Sequence, residues 1–238
     1  MITGIVVALP EELGTLTSKK IDKGCCAFIA DNLLVAYSGA GPENAKRAAE
    51  QLVAQNANRL ISWGCAAALI NTLAPGDLTL ADGLIDADQV LIDQDLAWHG
   101  VSKNELSKQF AVHTGALAES MHIVSTSKAK KQLQSETRAI VVDMESVAIA
   151  KVAKQHRLSF LAIRTVADPV GMDVSPAVTQ SLNAQGDVVL CKLLAFVATH
   201  PTELPGLIKL ALHFNAAKNT LKRVAKQLNA LTCYPKAL

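Results

Sequence analysis

Residues 141–171 read VVDMESVAIAKVAKQHRLSFLAIRTVADPVG. Apolar residues at 144, 147, 148, 152 and 153 keep helical spacing, while Lys151, Lys154 and His156 fall on the wetter side. Residues 158–166 are largely apolar, with Arg164 the single charge, and too short for a typical helix, so they read as a core strand of a parallel sheet. The spacing thus predicts a helix over 145–156 running back into a buried strand that ends near Asp168-Pro169. Ligands of open α/β sheets sit beyond the carboxyl ends of strands. Glu145 and Asp168 both fall at such ends, and two acids on one rim point to chemistry on a polar small molecule.

The flanking sequence extends the same alternation. Further strands are expected over 3–9, 26–30, 33–37, 59–63, 77–81, 122–125 and 138–142, and helices over 43–55, 104–118, 178–199 and from 204 to about 231. The strands at 26–30 and 33–37 flank Asp31-Asn32, a two-residue polar turn that suits a hairpin. The pattern argues for a single three-layer α/β domain with a central mixed sheet flanked by helices. It divides into a main unit over 1–200 and a C-terminal basic amphipathic helix over 201–238, packed on the domain or extending from it. The segment 170–177, with Gly171 and Pro176 directly after Asp168, is expected to be a mobile loop that closes over a ligand.

Composition removes several function classes. The chain has 238 residues, 50% of them apolar, and a formal net charge of only +2, which gives no reason to expect nucleic acid as partner. No apolar run reaches the length of a membrane span. The opening MITGIVVALPEEL meets acids at once and does not read as a signal peptide. Cys25, Cys26, Cys65, Cys191 and Cys233 form no C-x-x-C pair, so they are expected to be reduced, mostly buried thiols of a cytoplasmic protein rather than metal ligands. His99, His113 and His122 lack metal-ligand spacing and read as structural or surface residues. Lys46 and Arg47 read as the solvated face of a helix.

The first strand runs into Pro10-Glu11-Glu12. Proline suits a first helical turn and acids there complement the helix dipole, so these carboxylates either cap a helix or join the acids at the rim. Ser38-Gly39-Ala40-Gly41 opens the next helix. It is a tight strand-to-helix turn or a backbone contact for a ligand, and it lacks the third glycine of a dinucleotide fingerprint.

Taken in order, GIVVALPEEL, SGAGPENA, WGCAAAL, APGDLTLADGLI, VVDMESVAIA and FLAIRTVADP resemble the nucleoside phosphorylase and nucleosidase superfamily over nearly the whole of residues 3–198. The nearest pattern is that of the methylthioadenosine/S-adenosylhomocysteine nucleosidases. The VDMES and VADP wording, with the basic tail, looks most like the hopanoid-associated phosphorylase branch. The resemblance implies cleavage of the N-glycosidic bond of a purine nucleoside, adenine being the expected base, with a 5′-substituent. No cofactor is expected beyond phosphate as a co-substrate, and a homodimer is the implied assembly. It assigns Asp168 to N7 of the departing base, Glu12 to the attacking water, and Glu145 to the ribose 2′- and 3′-hydroxyls. Met144 is assigned to the sugar face, and Ser38 with Gly39 to the segment that contacts the nucleophile.

These residue types suit the chemistry. An oxocarbenium-like sugar needs an acid for the leaving group and a base for the nucleophile on the opposite face, as inverting glycosidases do. Asp168 must hold a proton near neutral pH, whereas Glu145, accepting from two hydroxyls, should stay ionised. Arg164 either braces Asp168 or pairs with another carboxylate. Two stretches depart from the family: Gly64-Cys-Ala-Ala-Ala68 replaces G-S-A-G-G, and residues 125–131 lack an aromatic to stack on adenine. Glu11 and Glu12, with no arginine beside them, favour water over phosphate as nucleophile. Phosphorolysis of adenosylhopane and a non-catalytic purine nucleoside sensor remain as alternatives. The C-terminal stripe at 207, 210, 211, 214, 217, 221, 224, 225, 228 and 231, flanked by lysines, either packs on protein or lies on an anionic membrane. The expected location is cytoplasmic, with peripheral contact to the inner membrane as the alternative if the stripe lies on lipid.

Overall fold

Side chains of β1 (Ile2–Val7) alternate across the sheet: Ile5 and Val7 join one core and Val6 the other, as the two-residue period of a strand requires. The computed structural model describes residues 1–93, 96–181, 183 and 190–232. Around β1 lie β2 (Cys26–Ala30), β3 (Leu33–Tyr37), β4 (Ala57–Ala68), β5 (Leu78–Ile85), β6 (Leu91–Asp93), β7 (Val112–Glu119), β8 (Val141–Asp143) and β9 (Ser159–Asp168). They form one mixed sheet in the order β2-β3-β1-β4-β8-β7-β5-β6, with β9 paired to both β4 and β5. The pairings β4-β9-β5-β7-β8-β4 therefore close on themselves. Ala67 of β4 stands beside Asp168 of β9 and beside Val142 of β8, which brings three strand ends to one place.

Helices cover both faces. Ala45, Ala48, Ala49 and Leu52 of α2 (Pro42–Ala54) and the apolar face of α5 (Ser146–Gln155) pack with Val6, Leu34, Leu60 and Phe160. The other face takes Leu13 of α1 (Pro10–Leu16) and Trp98 and Leu106 of α3 (Leu96–Leu106). It also takes Leu221 and Val224 of α8 (Leu204–Ala225), and Leu228 and Leu231 of α9 (Leu228–Thr232). Each such aliphatic side chain, fully buried, contributes about 1.5–3 kcal/mol. The remaining helices are α4 (Ser127–Thr137), α6 (Pro176–Thr179) and α7 (Leu190–Thr199). This is the expected three-layer α/β domain with a mixed central sheet.

Several boundaries differ from expectation. Residues 112–119 form a strand, not the end of a helix over 104–118: β7 pairs with β5 and β8, and a Cβ at Gly115 would come within 2.9 Å of Ile140. Alanine and glycine carry no period of their own, so pairing decides. Residues 122–125 form no strand but a loop, and α4, capped by Thr126 accepting from the Ala129 amide, follows it. The helix expected over 178–199 is represented by α6 and α7, and its residues 182 and 184–189 lie outside the described ones. The tail helix is interrupted between α8 and α9. Its stripe is buried in its later half, at Ala217, Leu221, Val224, Leu228 and Leu231, while Leu204, Ile208 and Leu212, which lie off the stripe, are exposed.

The cysteines correct the expectation of buried thiols. Cys25 and Cys191 are exposed and Cys26 and Cys65 half-buried, all free, and Cys233 lies outside the described residues. Lys46 and Arg47 are exposed on α2 as expected. No helix among the described residues is long and apolar enough to cross a membrane.

Candidate active site

A cavity of about 320 Å³ opens at the carboxyl ends of β1, β4, β8 and β9. Glu12, Met144, Glu145 and Asp168 all line it, together with Asp143, Cys65, Ala66 and Ala67. The loop after β7 adds Ser120 and His122, and Val174, Val178 and Leu210 supply an apolar wall. His122 is exposed yet lines the cavity, a role its sequence setting did not suggest. His99 is buried with Nε2 3.3 Å from the Leu80 carbonyl, and His113 lies 3.6 Å from Asp77.

Glu12 combines both of its readings. Oε2 accepts from the amides of Ala8 (3.3 Å) and Leu9 (3.1 Å), closing the start of α1, and Oε1 accepts from the Cys65 amide at 2.8 Å. The carboxylate is thus fixed by three backbone donors from β4 and the end of β1. Burial pushes its pKa up, while Arg164 and the amides oppose that. Gly64 makes room for the arrangement, since a Cβ there would collide with Glu12 and with the Arg164 guanidinium. Burial and the neighbouring Glu12 push the Cys65 thiol well up, which keeps it neutral and a poor nucleophile.

Arg164 does not brace Asp168. Its Nε lies 2.6 Å from Asp143 Oδ2, and its Nη2 donates to Ser62 Oγ (2.5 Å) and Ser146 Oγ (3.1 Å). Asp143 also accepts from the Ser146 amide at 3.0 Å, at the start of α5. Glu145 is buried and accepts from the Gly41 amide at 2.8 Å. Burial first, then Asp143, raise its pKa to about 7, against Arg164. One guanidinium therefore serves three buried carboxylates, and Glu145 in the free protein titrates near neutrality instead of being firmly ionised.

Asp168 meets a different cation, one the sequence reading missed. Lys130, wholly buried on α4, places Nζ 2.7 Å from Asp168 Oδ1 and donates to the carbonyls of Met172 (2.7 Å) and Pro169 (3.1 Å). Burial raises the Asp168 pKa, and Lys130 opposes it. The segment expected to be a mobile lid is tied down beside this pair. Ser127 donates its amide to Asp173 at 2.6 Å, Val174 donates to the Ser125 carbonyl at 2.7 Å, and Val170, Met172, Val174 and Ala177 are buried.

Ser38 and Gly39 are not among the residues lining the cavity; they form the turn before Ala40, which is. Ser38 Oγ lies 3.0 Å from the Val7 carbonyl, and Gly39 has φ +82° with Lys23 packed where a Cβ would go. Among the described residues no three His, Cys, Asp or Glu side chains are grouped to hold a metal ion.

Comparison with known proteins gives a consistent picture. The family model described as Phosphorylase superfamily matches residues 3–198. Curated protein sequences give no match. Among solved structures, the chain is similar to 5′-methylthioadenosine/S-adenosyl homocysteine nucleosidase of Helicobacter pylori, with 18% identity, 96% of each chain covered and a TM-score of 0.72. Futalosine hydrolase of H. pylori strain 26695 gives the same identity, coverage and TM-score. The Neisseria meningitidis nucleosidase in complex with methylthio-immucillin-A gives 18% identity over 96% of this chain and 99% of that one, with a TM-score of 0.72. At this identity the likeness speaks for the fold.

Proposed function

The chain belongs to the phosphorylase superfamily, and on that premise we propose that it cleaves the N-glycosidic bond of a purine nucleoside with water as nucleophile. One observation carries this reading: Glu12, Glu145 and Asp168 line one cavity, and among the described residues no lysine or arginine lines it. Adenine is the proposed base. Asp168 protonates N7 as the bond to N9 breaks, and its raised pKa suits an acid that must keep a proton near neutrality. Glu145 accepts from the 2′- and 3′-hydroxyls, Met144 packs on the sugar, and Glu12 orients and deprotonates the water. The carboxylates also face the positive charge that develops at C1′.

Phosphate would need fixed positive charge and amide donors. Here the amides of Ala8, Leu9 and Cys65 are already committed to Glu12, and Arg164 to Asp143. Phosphorolysis of adenosylhopane shares the base and sugar contacts but lacks this anion site. The apolar wall of Val174, Val178 and Leu210 favours an apolar 5′-substituent over a charged one. A sensor would need neither Glu12 nor Asp168 in place, so their joint presence favours an enzyme.

The homodimer and the peripheral membrane contact belong to the same proposal. Leu194, Leu204, Ile208 and Leu212 stand exposed on α7 and α8 and offer apolar surface for either. Sedimentation with and without anionic vesicles separates them. The central test is incubation with adenosine, methylthioadenosine and adenosylhopane in phosphate-free buffer and then with phosphate, following both products. Adenine with free sugar, independent of phosphate, is expected. A strict need for phosphate and a sugar 1-phosphate product would overturn the hydrolytic reading.

A further inference from the structure

Lys130 has no exposed surface, whereas Lys128 and Lys131 on the same helix are exposed. Lys130 donates two hydrogen bonds, to the Met172 and Pro169 carbonyls, and its ammonium faces Asp168 Oδ1 at 2.7 Å as an ion pair. Burying a cation is costly unless it is paired and hydrogen-bonded, and Asp168 is the carboxylate that balances it. The pair lies at the cavity wall, because Asp168 lines the cavity while Lys130 does not. Lys130 thus reaches the chemistry only through Asp168.

We propose that Lys130 is a positioning residue for Asp168: it holds the carboxyl group by Oδ1, leaves Oδ2 for the departing base, and stabilises the carboxylate left once the proton has gone. This rests on the reading of Asp168 as the acid. In the step concerned, the C1′–N9 bond breaks with its electron pair going to the base, the Oδ2–H bond breaks, and an N7–H bond forms. The three N–H bonds of Lys130 stay intact. Negative charge grows on Asp168 as the transition state is approached, so the contact at 2.7 Å strengthens there more than in the ground state. A neutral acid gains less from the ammonium than the carboxylate does, which makes this contact catalytic in effect although Lys130 never touches substrate.

The surroundings of Asp168 fix the sign of a pH test. Lys130 from α4 and, when charged, His213 from α8 oppose protonation, whereas burial and Asp173 in the following loop favour it. Burial and Lys209 in turn hold the His213 pKa down. Removing the Lys130 charge lets Asp168 keep its proton to higher pH.

The experiment compares wild type, Lys130→Met and Lys130→Arg by pH profiles of adenine release and of equilibrium binding of free adenine. Lys130→Met is expected to lower kcat about a hundredfold, the low end of the range found for loss of single preorganised donors, with little change in KM. It should also move the alkaline limb of both profiles up by about one pH unit or more. Lys130→Arg, which keeps the charge, should leave the limb at the wild-type position. Should Lys130→Met not fold, a shifted limb in Lys130→Arg overturns the proposal and an unmoved one supports it. A folded Lys130→Met with both limbs unmoved, whatever its rate, reduces Lys130 to a structural clamp and overturns the proposal while leaving the glycosidic reading intact. A wild type that neither binds nor releases adenine overturns that reading and this one with it.

Discussion

The amide of Gly41 donates to Glu145 Oε1 across 2.8 Å, joining the turn after β3 to the start of α5, 104 residues further along the chain. This backbone donor of the glycine turn is directed at the carboxylate proposed to hold the sugar and not at a phosphate, and it leaves Oε2 of Glu145 for hydroxyls. Glu145→Gln is therefore expected to weaken ribosides far more than 2′-deoxyribosides. A charge-assisted hydrogen bond is worth roughly 1.5–3 kcal/mol, so the preference for riboside should shrink about ten- to a hundredfold in kcat/KM. Equal losses on both sugars would make Glu145 structural.

The same substitution should stabilise the protein at alkaline pH. A carboxyl group whose pKa rises from 4.5 to about 7 on folding binds more protons in the native than in the unfolded state between those values. Stability contributed by the group therefore falls as pH rises through that window, to a penalty of about 3 kcal/mol above it. Glu145→Gln removes the titration. Its melting temperature should exceed that of the wild type at pH 8, and the difference should vanish towards pH 4.5. A gain independent of pH would show that Glu145 is not the group responsible.

Glu145 and Asp168 could be placed at strand ends from the sequence, because an apolar strand-like run gives way to a helical period at Glu145 and stops at Asp168-Pro169. Glu12 was legible as a helix-start acid, and the structure shows that capping α1 and facing the cavity are one arrangement. The closed ring of strands was not legible, since β7 is built from small residues with no period and β9 pairs on both sides. Lys130 was hidden for another reason. In a run of three lysines within four positions, nothing local marks one as buried; its burial comes from the turn at 169–172, which arrives from far along the chain. His122 likewise lines the cavity from residues 122–125, which form a loop and not the expected strand.

Gly64→Ala should damage both fold and function. The new methyl group meets the Arg164 guanidinium and the Glu12 carboxylate, both buried and unable to swing into water. Overpacking of this kind costs about 1–3 kcal/mol, and a displacement of a reacting group near 1 Å costs about a hundredfold in rate. Thermal melting and kcat measured on the folded fraction should both fall. Wild-type values for both would mean that Glu12 relaxes freely, contrary to its three backbone bonds.

Asp168→Asn should abolish most purine release, since an amide has no acidic proton to give N7, and should also cost stability, since it leaves the buried Lys130 without its carboxylate. Loss of a general acid costs about 10²–10⁴ in rate, and a nucleoside with a better leaving group should lose less. The wild-type rate should fall as pH rises through the elevated pKa of Asp168, and the variant should lack that alkaline limb. A folded Asp168→Asn protein with near-normal turnover and the same limb would move the acid elsewhere.

Glu12 tests the nucleophile. Both of its oxygens are acceptors for backbone amides, and Gln can keep only one such side satisfied while its NH₂ group opposes the other. Glu12→Gln should therefore cost some stability as well as the base. On the hydrolytic reading, adenine release should fall about 10²–10⁴-fold while substrate still binds, as judged by calorimetry with methylthioadenosine. Because burial raises the Glu12 pKa, the wild-type rate should climb with pH as that proton is lost, and the part of the acid limb due to Glu12 should disappear in the variant. Phosphate provides the decisive contrast. Removing a carboxylate from the nucleophile pocket lowers the repulsion an anion would meet, so a phosphorolytic enzyme should tolerate Glu12→Gln or gain from it when phosphate is added. Recovery of turnover with phosphate and formation of a sugar 1-phosphate would assign the pocket to phosphate; continued silence of the variant in its presence is the result expected for water.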